Sequence, residues 1–361
     1  MKLFKLRHLK LYSSFLATLV CFIATSDACT RIVFLGENQQ IITARSMDWK
    51  DEIDTNLWIF PRGIERNGLV GEQSISWQSK YGSVIASSYD VATTDGVNEK
   101  GLVANLLWLA ESEYSTKPAS GHALSISIWA QFMLDNFATV AEAVTYLQQH
   151  PLTVMTDNVP GQSRLATLHL SLSDNTGDSA IIEYINGDQV IHHNRQYQVM
   201  TNSPTYDKQL EMEKYWQDIG GLAFLPGTNR AADRFARASF YINSLPKQID
   251  DNTAVASVFS VIRNISVPYG LTTEASPEIS STRWRTLYDH KRRLYFFESA
   301  LTPNVFWTNL NQIDFSKETG TVKTLKLGQG QRNIFSGNVN SQYKASEPFK
   351  FQGLTAKQLS Y

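Results

Sequence analysis

From residue 30 onward the chain turns back on itself in short strands, and no regular strand–helix–strand alternation appears. Residues 30–35 and 40–44 flank the turn Gly36-Glu37-Asn38-Gln39. Residues 83–87, 91–94 and 101–108 read as strands, with turns at Asp95-Gly96 and Asn98-Glu99-Lys100. Residues 166–172, 180–185 and 189–192 form a meander through Asp174-Asn175-Thr176-Gly177 and Asn186-Gly187-Asp188. Residues 284–288, 294–298 and 305–308 close the series. Helical periodicity is confined to three blocks: 125–150, then 206–219 with 231–244, then 253–264. In the first block Thr139 and Glu142 have the spacing of a capping box. Strand runs separated by helical blocks argue against a doubly wound parallel sheet. They fit an α+β fold in which two mainly antiparallel sheets pack face to face with helices outside. No linker, repeat or low-complexity tract divides residues 29–361, so one domain is expected there.

Residues 1–28 read as a targeting segment. Lys2, Lys5, Arg7 and Lys10 form a basic start, and Phe15 to Ala24 is an apolar run. That run is too short for the roughly 20 apolar residues of a spanning helix. Ser26 and Ala28 stand at −3 and −1 before Cys29, as signal peptidase requires. A cut after Ser26, with Ala24 at −3 and later trimming of Asp27-Ala28, obeys the same rule. Lipidation of Cys29 is the competing outcome, although Ser26 stands where lipoprotein signals carry an aliphatic residue. Removal of 28 of the 361 residues leaves 333 and moves the net charge from −1 to −4. The expectation is a periplasmic or secreted protein without stable membrane insertion. With 33 Lys and Arg against 34 Asp and Glu, no basic excess points to nucleic acid.

The chain holds two cysteines, Cys21 and Cys29, and export removes Cys21. One thiol cannot form an internal disulfide, and in an oxidising compartment it is a liability unless buried or used. A leftover structural cysteine is the bland reading. Its position argues otherwise, because cleavage makes Cys29 the first residue. An α-amine has a reference pKa near 7.7–8.0, so the residue would carry its own general base beside its nucleophile.

The segment Cys29-Thr30-Arg31 through Ala44-Arg45-Ser46-Met47-Asp48-Trp49 resembles the start of the choloylglycine hydrolases. That family includes penicillin V acylases and conjugated bile salt hydrolases. The resemblance continues at Asp95-Gly96-Val97-Asn98-Glu99-Lys100-Gly101-Leu102, at Met200-Thr201-Asn202-Ser203-Pro204, and at Leu225-Pro226-Gly227 leading to Asp233-Arg234-Phe235. It covers essentially the whole mature chain in order. It implies the N-terminal nucleophile fold, an αββα four-layer sandwich. It further implies hydrolysis of a linear amide bond in an N-acylated small molecule, no cofactor or metal, and a homotetramer. Asp48-Trp49, Leu107-Trp108 and Pro226-Gly227-Thr228-Asn229-Arg230 are most similar to the Gram-negative branch, associated with penicillin V and N-acyl homoserine lactones more than with bile salts.

Each carried-over residue also has a physical reading. Cys29 would attack the carbonyl and form an acyl-enzyme. Arg45, at the end of the second strand, could reach back and lower the thiol pKa. Asp48, just past that strand, is placed by the family against the α-amine; a surface ion pair with Arg45 is the alternative. Asn202 would donate to the oxyanion, and a turn-forming role before Ser203-Pro204 is its alternative. Arg234 matches the arginine of a Ser-Arg-Phe segment in which Asp233 replaces the serine; a solvated helix face would suit it equally. Trp108 falls where the family usually has Asn or Tyr as a second oxyanion position, so only its backbone N–H could serve. Trp49 and Trp108 would favour an apolar or aromatic acyl group, or would be plain core.

Rival chemistries lack their motifs. No Gly-x-Ser-x-Gly elbow, His-Glu-x-x-His pair, dinucleotide fingerprint or P-loop occurs. His192 and His193 are adjacent on one strand and would face opposite sides, so they cannot share a metal. The alternative from another class is a non-catalytic exported or lipid-anchored binding protein on the same scaffold.

Overall fold

The computed structural model describes residues 29–116, 121–272 and 280–354. The targeting segment and Cys21 lie outside the described residues. Among these, a seven-stranded and a nine-stranded sheet dominate, both mainly antiparallel. The first sheet runs in the order Val199–Met200, β1 (Thr30–Leu35), β2 (Ile41–Trp49), Ser281–Asp289, Leu294–Ser299, Val305–Asn309 and Gly337–Asn338. The second begins at Asp188–His193 and passes through Ser179–Ile185, Leu168–Ser173, Val103–Trp108, Ala92–Asn98, Ser83–Ser88 and Leu57–Phe60. It ends on Lys323–Leu325 and Lys344–Ala345.

Helices α1 (Trp129–Asn136) and α2 (Val140–Gln149) cover the nine-stranded sheet. Helices α3 (Tyr206–Ile219), α4 (Ala231–Ser244) and α5 (Asp251–Asn264) lie on the other side, α4 and α5 packing on β1 and β2. The result is the expected four-layer αββα sandwich. Ile32, Phe34, Val84, Val97, Trp284 and Phe297 belong to one buried cluster; Ile85, Leu102, Leu170, Trp129 and Met133 belong to another, under α1 and α2. The period-two side-chain alternation of each strand is what feeds two different cores from one sheet.

The layer between the sheets also carries polar ties. Thr43 Oγ1 meets Ser173 Oγ at 2.8 Å, and Arg31 Nη2 donates to the Leu172 carbonyl at 2.9 Å. Asp95 accepts from Asn105 Nδ2 at 2.6 Å, from Thr286 Oγ1 at 3.1 Å and from the Tyr295 hydroxyl. Asp95-Gly96 is therefore not a turn. It lies inside the strand Ala92–Asn98, paired with Asn105 and Ala104. The acid is needed as an intersheet acceptor, and a Cβ on Gly96 would meet Ile85 Cγ2 at 2.6 Å.

Two other expectations change. The second strand runs on to Trp49, because Ser281–Asp289 pairs with it over Ile42 to Trp49. The block 125–150 is interrupted. A short 3-10 turn leads into α1, the chain extends at Phe137, and α2 restarts on Thr139, whose side chain caps the Glu142 N–H at 3.2 Å. Among the described residues no helix is long and apolar enough to cross a membrane.

Candidate active site

The site begins with β-sheet register. Thr30 lies opposite Ser46, so Cys29, one residue before β1, sits beside Met47 and Asp48. Strand alternation then sorts β2: Arg45, Met47 and Trp49 line one cleft together with Cys29, while Ser46 and Asp48 point to the other face. The Asp48 backbone N–H donates to Cys29 Sγ at 3.5 Å, and Arg45 Nη2 lies 3.8 Å from the same sulfur. Arg45 thus reaches Cys29 from the middle of β2 rather than from its end. Its Nη2 also donates to the Leu106 carbonyl at 3.0 Å, and its guanidinium lies 4.7 Å over the Trp284 ring. Arg45 Nε and Nη1 are buried with no acceptor among the protein atoms.

Asn202 and Arg234 come from a second direction. Asn202 follows Val199–Met200, the edge strand that pairs with β1. Its Oδ1 accepts from the Cys29 N–H at 2.7 Å and from Arg234 Nη2 at 2.7 Å; its Nδ2 donates to the Trp108 carbonyl at 2.7 Å. Arg234 is wholly buried on α4, which corrects the solvated alternative. Its Nη1 donates to the Cys29 carbonyl at 2.7 Å and to the Thr30 hydroxyl, and its Nε to the Asn229 carbonyl at 3.0 Å. Asp48 is equally buried, its Oδ1 accepting from Thr282 Oγ1 at 2.5 Å and its Oδ2 from Ser46 Oγ at 3.3 Å. The surface ion pair is therefore not its setting.

Burial dominates the electrostatics. It pushes the Cys29 thiol up, against the pull of Arg45 and Arg234. It raises Asp48 to about 6, opposed first by Arg234 and then by the Thr282 hydrogen bond. It lowers Arg234, whose charge Asp48 supports. The cluster is a set of buried charges that stabilise one another around one sulfur.

The cleft is lined by Met47, Trp49, Tyr89, Leu106, Trp108 and Val159 besides Cys29 and Arg45. The Trp49 and Trp108 rings lie 5.6 Å apart at 52°. Sequence reasoning missed three residues here. Arg164 places its guanidinium 4.2 Å from the Trp108 ring and 4.9 Å from that of Trp49. Tyr89 accepts from Trp49 Nε1 at 2.8 Å, from a turn in which Tyr89 and Asp90 both have positive φ. Gln352 closes the far side, taking hydroxyl hydrogen bonds from Ser125 and Ser127 at 2.8 and 2.7 Å and donating to Asp157 at 2.9 Å. The gap between the strand readings 83–87 and 91–94 holds Tyr89; a lone arginine or glutamine in a loop carries no periodic signal.

His192 and His193 point apart as expected, to Glu183 and to Asp178. Among the described residues no group of three or more His, Cys, Asp or Glu is placed to hold a metal.

The sequence profile of the linear amide C-N hydrolases, choloylglycine hydrolase family, matches residues 29–324. A penicillin V acylase of Pectobacterium atrosepticum is 55% identical over 352 residues, covering 92% of this chain and 94% of that protein. The solved structure of penicillin V acylase from Agrobacterium tumefaciens superposes with a TM-score of 0.85 at 62% identity, over 90% of this chain and all of the other. A conjugated bile acid hydrolase variant from Clostridium perfringens shares the fold at a TM-score of 0.71 and 20% identity, over 83% of this chain and 98% of its own. The chain belongs to the linear amide C-N hydrolases of the choloylglycine hydrolase family.

Proposed function

We propose that the chain is exported, is cut before Cys29, and then cleaves N-acylated small molecules through an acyl-enzyme on that residue, with penicillin V as the preferred substrate of those considered. The observation that carries this reading is the gathering of Arg45, Asp48, Asn202 and Arg234 around the only cysteine past residue 28, at the residue where the family match starts.

Freed by cleavage, the Cys29 α-amine is a base, of a type whose reference pKa is near 7.7–8.0. Burial keeps the thiol protonated, so the amine takes its proton, directly or through one water, as sulfur attacks the amide carbonyl. Asn202 Oδ1 holds the amine nitrogen at 2.7 Å, and in this reading the buried Asp48 carboxylate supports the charge of the ammonium. Asn202 Nδ2 carries two hydrogens; Trp108 takes one, and the other is left for the oxyanion. The ammonium returns its proton to the departing amine. Water then attacks the thioester with the amine again as base, releasing the acid and restoring the thiol. Asn202→Ala should lower kcat by roughly 10²–10³-fold. A kcat within tenfold of the parent in steady-state assays removes Asn202 from this role.

The indole pair suits an aryl or apolar acyl group, and the two penicillin V acylases above support phenoxyacetyl. Trp108→Ala should cost about tenfold in kcat/KM for penicillin V, mostly through KM. An unchanged KM would make the indole pair a structural feature only. A homotetramer belongs to the same proposal, and exposed Tyr215, Leu222 and Phe224 near the end of α3 are surface that association would cover.

The deciding experiment is mass spectrometry of the exported protein's N-terminus, followed by parallel assays on penicillin V, an N-acyl homoserine lactone and a conjugated bile salt. A free α-amine on Cys29 and highest kcat/KM on penicillin V are expected. An acylated Cys29, or no turnover of any of the three, defeats the proposal.

A further inference from the structure

Behind Asn202 lies a buried cluster that the reaction as described does not use. His169, on Leu168–Ser173, directs Nε2 at the Thr201 carbonyl, 2.8 Å away, and Nδ1 at Glu183 Oε1, 3.1 Å away. Both side chains are almost wholly buried, at 2% and 1% exposure. Glu183 also accepts from His192 Nε2 at 3.3 Å and, through both oxygens at 3.1 Å, from the N–H of Tyr206, the first residue of α3. It takes the place of a side-chain cap that Thr205 does not supply.

A backbone carbonyl accepts and cannot donate, and so does an ionised carboxylate. A ring held between the two can satisfy both contacts only with a hydrogen on each nitrogen. Burial opposes ionisation of Glu183, yet the hydrogen bonds from His169 and His192 outweigh it and hold the acid at about 2. With Glu183 ionised, both His169 nitrogens face pure acceptors, and the two contacts assign a hydrogen to each.

The carbonyl that receives Nε2–H belongs to the residue before Asn202. The same short loop is held by Gln209, whose Nε2 donates to the Asn202 carbonyl at 2.9 Å and the Ser203 carbonyl at 3.0 Å. Thr201 Oγ1 donates to the Ala231 carbonyl at 3.1 Å, at the start of the helix that carries Arg234.

We infer that His169 is a positioning residue for the reaction: as an imidazolium neutralised by Glu183, it fixes the Thr201–Asn202 backbone and so aims the Asn202 amide. The inference rests on the proposed oxyanion role of Asn202, and part of its test does not use turnover. Nitrogen-15 NMR of the processed protein should show two protected ring N–H signals from His169 at neutral pH. His169→Ala should shift the Asn202 side-chain amide signals, lower kcat by about 10–100-fold and leave KM within about threefold. Glu183→Gln, which preserves a buried hydrogen-bonding group should His169→Ala fail to fold, should remove one ring N–H signal, because a neutral amide can donate to Nδ1. A single ring N–H in the parent overturns the inference. So do unmoved Asn202 signals in a folded His169→Ala protein, or an effect there confined to KM. If the parent hydrolyses none of the amides, the proposed function fails, while the ring and Asn202 signals still decide the positioning link.

Discussion

Cys29→Ala should abolish turnover of every true substrate, with a loss of at least about 10³-fold in kcat on the precedent of other enzymatic nucleophiles. The reason is structural as well as chemical. Cys29 is the only cysteine past residue 28, and the described cleft offers no second sulfur nucleophile. The variant should still fold and bind, because the side chain makes only contacts of 3.5 Å or longer, while the anchoring bonds come from its backbone: N–H to Asn202 and carbonyl from Arg234. Single-turnover assays with penicillin V and tryptophan fluorescence should separate the two. Residual activity above a few per cent of the parent, in protein free of wild-type contamination, would return Cys29 to the status of a structural residue.

Arg234→Met should be the most damaging change to stability among the site residues. Arg234 is fully buried, and it is the leading stabiliser of the equally buried Asp48 carboxylate. Removing the cation strands an acid in the core, a change that typically costs about 3–5 kcal/mol. It also takes donors from the Cys29 carbonyl and Asn202 Oδ1. Burial already raises Asp48 to about 6, and loss of Arg234 moves it further up. Such a raised carboxyl binds a proton in the folded state that the unfolded chain, near 3.9, has released. Stability therefore declines as pH rises between those values, and the decline should extend to higher pH in the variant. Urea denaturation at several pH values checks both statements. Adding Asp48→Asn should restore about 1 kcal/mol or more relative to additivity. A loss below about 1 kcal/mol in the single variant, or no coupling in the double, would show that the two charges are not interdependent.

Where local chemistry decided the structure, the sequence was readable. The β-branched and apolar run at residues 30–35 is strand β1, and the bounds of α3 and α4 follow from their periodicity. Where long-range packing decided it, reading failed. Leu57–Phe60 is a central strand covered on both faces, so it shows no polar alternation to read. Asp95-Gly96 has turn composition but serves as an intersheet acceptor and a site of close strand approach. The tail of β2, Ser46-Met47-Asp48, reads as lying past the strand because its polar residues serve the site rather than solvent. The five polar and sulfur residues named from family resemblance do come together. Arg164 and Gln352 were invisible because each acts across a large gap in sequence on a neighbour it does not resemble.

The position of β1 near one edge of its sheet, with partners drawn from across the chain, bears on how the molecule is made. Cys29 is bonded to residues 173 and 205 positions away, at Asn202 and Arg234. The cleft it opens into is walled by Gln352, from the last described segment. Loops of that length carry a closure entropy that nothing local offsets, and contact order of this kind slows folding. Cys29 is therefore among the last residues to find its surroundings. The cluster around Cys29 is thus assembled only when nearly all of the described sequence is in place.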